Sequence, residues 1–279
     1  MWEAVDDLLW AYQDLFYGLG VNALLGLSMY VVLAVGQLSL GQAAFMGIGA
    51  YVGAVLTVKM GVPLALSLAA AALAAAAAAV LIGRPTLRLT GVYLAIATIG
   101  LGEVLRIVYL NTEQLGGALG FSGIPVKANG WIIFGLLAVI LSGFLLTIRS
   151  RIGRSLEAIR EDEAAARVMG IDVDAYKMNA LVLSAGLAGL AGALNAHYSS
   201  FISPNEFGFE TAVTILSYAV LGGVTTPWGA VTGAFLLTLL PELLRPLHDL
   251  RGVFNGLIIV LVVIFLPKGI LGFRVRRTG

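Results

Sequence analysis

The chain has no cysteine, which excludes disulfides, thiolate metal sites and cysteine nucleophiles together. It has two histidines, His197 and His248, in no HExxH or similar ligand spacing, so no metal site is predicted. Charge is scarce as well. Asp, Glu, Lys and Arg make up 12% of the residues, against about 25% in soluble domains. The net charge of +1 leaves no basic footprint for nucleic acid. No GxxxxGK[ST] run occurs, so the chain carries no phosphate-cradling loop of its own. No His–carboxylate or serine-based constellation is readable within the apolar runs, which argues against an intramembrane enzyme.

What is abundant is apolar surface: 59% of 279 residues are hydrophobic. A membrane-spanning helix needs roughly 17–25 mostly apolar residues. By that measure candidate spans cover residues 15–35, 40–58, 63–82, 91–109, 131–148, 178–198, 211–224, 229–240 and 254–266. The expected fold class is therefore all-α, a polytopic integral membrane protein of about nine transmembrane helices, with eight to ten allowed. The seventh and eighth are short and flank "GGVTTPWG"; each reads equally as a half-helix that enters and turns back under protein cover. Residues 1–14, acidic and without a basic leader, read as an amphipathic interfacial segment with Trp2, Trp10 and Tyr12 at the headgroups, not as a cleaved signal peptide. Residues 15–272 form the transmembrane domain and 273–279 a basic tail.

Lys and Arg set the orientation. With the N-terminus outside, the inner side collects 12 of the 17 basic residues. They are Arg84, Arg88, six between residues 149 and 177, and Lys268, Arg274, Arg276 and Arg277. The C-terminus is then cytoplasmic.

Small residues recur in "SAGLAGLAGAL", with Gly186, Gly189 and Gly192, and in "SLAAAALAAAAAAV" at 67–80. Both predict close helix contact in lipid. "GIGAYVG" at 47–53 follows no strand and lies in an apolar span, so it is not a dinucleotide fingerprint.

Against this background residues 149–177 stand out, with 12 charged residues in 29. The segment is too short for a domain and too charged for lipid. "SLEAIREDEAAARVM" reads as one helix or two short ones, with Ser155 as N-cap candidate and Gly170 just past the end. Glu163 and Arg167 form a favourable i,i+4 pair. Leu156, Ile159, Ala164, Ala165, Val168 and Met169 offer an apolar face, which suits docking into a groove on a partner. A solvated loop with scattered surface pairs is the other reading of the same pattern.

The segment "EDEAAARVMG" (161–170) resembles the cytoplasmic Glu-Ala-Ala coupling loop of ABC-importer permeases. Four residues separate Ala165 from Gly170 where that family usually has fewer, so Ala164–Ala165 and Ala165–Ala166 both stay open as the register. More of the chain agrees. "GQLSLGQAAFMGIGAY" (36–51), "LRLTGVYLAIATIGLGEVLRIV" (87–108), "SRIGRSLEAIREDEAAARVMGIDV" (150–173), "ISPNEF" (202–207) and "VLGGVTTPWGAVTGAF" (220–235) are similar to the high-affinity branched-chain amino acid permease family. The LivM-type subunit fits better than its LivH-type partner, over about residues 24–272.

The resemblance implies a transport subunit, not an enzyme, in a prokaryotic cytoplasmic (inner) membrane, embedded in lipid. It implies a second, LivH-like permease, two ABC ATPases holding ATP and Mg, and an extracytoplasmic binding protein that delivers branched-chain or related hydrophobic amino acids. This chain itself would bind no cofactor and no nucleic acid. Coupling to the ATPases would fall to Arg154, Glu161, Asp162, Glu163, Ala164, Ala165, Arg167 and Gly170. A urea or short-amide permease of the same family and a stand-alone ion-coupled carrier are the alternatives.

Within the spans, Asn22, Ser39, Gln42, Thr98 and Ser217 are candidates to line a pathway; hydrogen bonds between packed helices explain each of them as well. Glu103 and Arg106, three residues apart on one helix face, form the candidate intramembrane charged pair. Asn195 and His197 sit near an outer end, as an interfacial pair or a ligand site.

Overall fold

The computed structural model describes residues 13–89, 91–243 and 269–270. Among the described residues six helices are long and apolar enough to cross a membrane: α1 (Gln13–Ala34), α2 (Gln42–Lys59), α3 (Leu64–Thr86), α4 (Val92–Asn111), α5 (Gly130–Ile148) and α8 (Val173–Ser199). Between α5 and α8 lie the short α6 (Arg151–Glu161) and α7 (Glu163–Val168). Two further apolar helices follow, α9 (Phe209–Gly222) and α10 (Pro227–Leu243). A two-residue antiparallel ladder joins β1 (Phe121–Ser122) to β2 (Phe201–Ile202) at the end of the bundle away from the charged segment.

Polar side chains at the ends punctuate this greasy sequence. Asn129 accepts from the Ile132 amide at the start of α5, and Asp172 accepts from the Ala175 amide at the start of α8. Pro227 opens α10, where its missing N–H costs nothing. The charged segment forms two helices, as the pattern allows, but Ser155 is not the cap. Ser150 accepts from the Ile152 amide, whereas Ser155 lies one turn inside α6 and donates to the Arg151 carbonyl. The first apolar-periodic residue is Ile152, so the cap falls earlier than the run of alanines suggested.

The bundle is organised around α8. It packs against α2, α3 and α1, and α10 closes on α1 and α9. α1, α2 and α8 are largely buried, while α3, α4 and α5 keep broad apolar faces outward. Leu73, Leu81, Val139 and Leu146 are each more than two-thirds exposed, as helices solvated by hydrocarbon require. The small-residue stripes do what the sequence predicts. Gly49 of α2 faces the backbone of Gly189, Gly192 faces the Met46 carbonyl, and Gly189 also abuts Ala71 and Ala75 of α3. With no hydrophobic drive between helices in lipid, such close backbone approach supplies the packing energy.

Helices matching the first eight expected spans are present. The ninth, at 254–266, and most of the interfacial segment 1–14, together with the tail 273–279, lie outside the described residues. α9 and α10 lie antiparallel in direct contact: Gly222 meets Gly229, and Gly233 meets the Tyr218 carbonyl.

Candidate functional site

The site is built where helices stop. Just past the end of α1, Gly36 (φ +73°) closes a Schellman motif, with Gly36 N–H donating to Leu33 O (3.0 Å) and Gln37 N–H to Val32 O (3.0 Å). The chain then runs non-helically to Gly41 before α2 begins, and it is buried there: Gln37 is 4% and Ser39 1% exposed. Irregular backbone at membrane depth is tolerated only under protein or water cover. Here Thr98 of α4 supplies it, since its hydroxyl accepts from the Leu40 amide at 2.9 Å. Gln42 donates to Ser184 of α8 at 3.1 Å. Ser39, Gln42 and Thr98 are thus brought together around one helix break. Asn22 and Ser217 are not part of it: Asn22 donates to Thr238 of α10, and Ser217 bonds the Val213 carbonyl of its own helix.

Gln37 Oε1 and Gln42 Oε1 are buried and find no hydrogen-bond partner among the described residues. Each such oxygen costs about 1–3 kcal/mol if left dry, so the break presents two waiting acceptors. Gln37 and Ser184 escaped the sequence reading. Gly36 and Gly41 bracketing a polar run between two apolar runs was the available signal for Gln37; nothing local marked Ser184.

A second break separates α9 from α10. Gly223 adopts φ +107°, and the Ile270 amide donates to Leu221 O at 3.0 Å. Arg160 of α6 connects the two breaks. Its Nη1 donates to the Val224 carbonyl at 3.2 Å, while its Cα and Cγ lie against Gly36. Nothing local in the sequence marks Arg160, because both of its contacts are distant in the chain.

The predicted coupling residues divide in two. Glu163 accepts from Lys177 at 2.5 Å and from Arg167 at 3.1 Å, and Arg167 also forks onto Asp174 at 2.7 and 3.1 Å. Asp162 caps α7 by accepting from the Ala165 amide (3.0 Å), and Gly170 (φ +84°) ends it in a second Schellman motif. These residues pin α7 to the start of α8, helped by Ile159, Ala166 and Val173 in a small core beneath. The outward face is Ala164, Ala165, Val168 and Met169, the last two 89% and 79% exposed. Glu161 points outward and Arg154 is exposed on α6.

The Lys177 ammonium, then the Arg167 guanidinium, holds the Glu163 carboxyl below its usual value of 4.5. A lowered folded-state pKa means that the stabilisation is full above the unfolded value and is lost as pH falls through the folded one. Protection factors of the amides in residues 163–177, with the intrinsic pH dependence of exchange divided out, are therefore expected to be constant above about pH 5 and to fall below pH 4.5. Glu163→Gln should shrink that step to the part carried by Asp174, whose carboxyl Arg167 also holds low.

At the opposite end Glu103 and Arg106 pair at 2.8 Å. Arg106 also donates to Asn205 at 3.1 Å, and Glu103 accepts from the Phe209 amide at 3.3 Å. The pair thereby caps α9, whose own N-cap, Gly208, has no side chain to do so. His197 does not pair with Asn195. Buried completely, it donates from Nδ1 to the Ala193 carbonyl (2.7 Å), leaving Nε2 to accept from Thr57 (3.0 Å). Residues two apart on a helix do not face each other. Among the described residues no group of acidic or histidine side chains is arranged to hold a metal ion.

Residues 14–265 match the protein family described as branched-chain amino acid transport system / permease component. The high-affinity branched-chain amino acid transport system permease protein LivM of Escherichia coli K12 is 37% identical over 289 residues, covering 91% of this chain and 66% of LivM. LivH of the same strain is 31% identical over 150 residues, 53% of this chain and 47% of LivH. The autoinducer 2 import system permease protein LsrC of Klebsiella pneumoniae is 29% identical over 191 residues, 64% of this chain and 54% of LsrC. The chain thus spans just under two-thirds of the length of the LivM it matches. No solved structure matches it.

Proposed function

The chain belongs to the branched-chain amino acid transport permease family, a family of multi-pass membrane proteins, and on that premise we propose that it is one transmembrane subunit of an ATP-driven importer. The cargo is a branched-chain or related hydrophobic amino acid, handed over by an extracytoplasmic binding protein. A LivH-like second permease completes the pathway, and two ATPases that hold ATP and Mg drive it. The chain crosses the bacterial inner membrane nine times, N-terminus outside, which puts α6 and α7 in the cytoplasm.

The α6–α7 pair carries this reading. One side presents an apolar step in water, Ala164, Ala165, Val168 and Met169; the other side reaches both helix breaks through Arg160. Such a piece is shaped to receive a partner's motion and pass it inward. Because Ala166 is buried and Ala164 and Ala165 are exposed, the alanine pair that meets the partner is Ala164–Ala165. In the pathway, the unpaired oxygens of Gln37 and Gln42 suit the ammonium end of a zwitterion. Glu103 is committed to Arg106 and the α9 amide, which speaks against a proton relay in a stand-alone carrier.

Reconstituted with its second permease and ATPases in liposomes, the chain is expected to take up leucine only with ATP and loaded binding protein. Uptake of urea in place of leucine would reassign the cargo, and gradient-driven uptake by this chain alone would overturn the importer reading. Val168→Asp combined with Met169→Asp should weaken ATPase association at least about tenfold, since truncating anchors at the centre of an interface costs that much or more.

A further inference from the structure

Beside the charged end, where α1, α5, α6 and α8 meet, lies a cavity of about 440 Å³. Its walls include Phe144 of α5, Ile152 and Leu156 of α6 and Leu183 of α8. The polar groups at its lining are neutral, among them Thr147 and Asn179; among the described residues no charged side chain lines it. A zwitterion needs charged or strongly polar partners at both ends, so this is no resting place for an amino acid. It is the right medium for hydrocarbon.

The cavity opens sideways toward the membrane. α5 buries only one stripe, Ile133, Leu137 and Leu141, and Leu183 and Ile152 are each about half exposed, at 50% and 52%. Basic residues flank its wall: α5 ends at Ile148, which lines the cavity, Arg149 follows it, and Arg151 precedes the lining Ile152. Both arginines are exposed, and among the described residues neither has an acidic partner within ion-pair distance. By contrast, the neighbouring Arg167 and Lys177 are both paired. Two unpaired guanidinium groups at the edge of a membrane match a phosphate, which arginine holds with two parallel hydrogen bonds.

We propose that this cavity binds an anionic phospholipid from the leaflet at the charged end, one acyl chain inside and its phosphate on Arg149 and Arg151. The site needs only the membrane placement of the bundle and holds for any cargo. One wall is α6, the helix that reaches both breaks through Arg160. A bound lipid therefore fills the gap between α6 and the spans above it, and its loss loosens the helix that touches the breaks.

The test is native mass spectrometry of the full-length chain in detergent, titrated with palmitoyl-oleoyl phosphatidylglycerol or the matching phosphatidylcholine. One tightly held lipid per chain is expected, with phosphatidylglycerol preferred by at least about tenfold, since juxtamembrane basic residues each attract anionic lipid. The double variant Arg149→Gln, Arg151→Gln should keep the lipid but lose the preference. Leu183→Trp, half exposed and therefore tolerant, should fill the cavity and lose the lipid itself. Equal retention of the two lipids by the unmodified chain, or unchanged retention in Leu183→Trp, overturns the proposal. Should Leu183→Trp fail to fold, the arginine variant decides alone, because its changes lie on the exposed surface.

Discussion

Gly192→Val is expected to leave little folded chain in the membrane. A side chain at that position would start inside the Met46 carbonyl, and the neighbouring crossing of Gly49 on Gly189 has no more room. Both obstacles are backbone, so no rotamer change relieves them; α2 and α8 must move apart. Overpacking a tight contact costs about 1–3 kcal/mol, more when backbone must shift, against a net stability of about 5–15 kcal/mol for typical domains. Here the moved helix is the one against which α1, α2 and α3 all pack, so the loss spreads. Size-exclusion yield and melting temperature in detergent measure it. Gly186→Ala on the same helix is the control, because a methyl group there would lie 3.5 Å from the Ala72 carbonyl, an ordinary contact. A valine variant that melts and elutes as the unmodified chain does would refute the close crossing.

If the chain is the importer subunit proposed above, Arg160→Ala is expected to uncouple transport from ATP hydrolysis without dismantling the assembly. Arg160 gives a charge-assisted hydrogen bond to Val224 O and packs on Gly36. Such bonds contribute about 1.5–3 kcal/mol, and about 1.4 kcal/mol is a factor of ten in a two-state equilibrium. Substrate uptake per ATP hydrolysed should therefore fall by about ten- to a hundredfold. ATPase association should survive, because the outward residues Ala164, Ala165, Val168 and Met169 are on α7 and just past it, not on the face that carries Arg160. Arg160→Lys, which keeps the charge but not the fork, should recover part of the coupling. Loss of ATPase binding together with uptake would make Arg160 a merely structural residue, and full uptake with tight coupling would remove it from the mechanism.

These two residues illustrate what could and could not be read in advance. Gly192 was legible: a repeat of small residues on an apolar helix has one common use in lipid, close contact with another helix. The span boundaries were legible for the same kind of reason, since hydrocarbon thickness sets helix length directly. The charged segment, the Glu163–Arg167 pair and the Glu103–Arg106 pair follow from i,i+3 and i,i+4 spacing, which is a property of the helix alone.

Arg160 was not legible. Its partners are 64 residues later at Val224 and more than a hundred earlier at Gly36, and no local pattern encodes which break a side chain will meet. Ser39, Gln42 and Thr98 were each visible as polar residues in apolar runs. That they converge, while Asn22 and Ser217 bond elsewhere, depends on how the helices rotate against one another. The same holds for the role of Glu103, which caps a helix beginning 106 residues away in sequence.

By itself the sequence determined that this is a bundle of membrane helices with one charged segment set apart, because periodicity, length and the cost of burying charge act locally. It also placed the small-residue seams and the Gly170 stop. The tertiary structure alone decided which polar residues share a helix break, which half of the charged segment is structural, and that Arg160 ties that segment to both breaks. Those are matters of long-range packing, in which a residue's role is set by what the rest of the chain brings beside it.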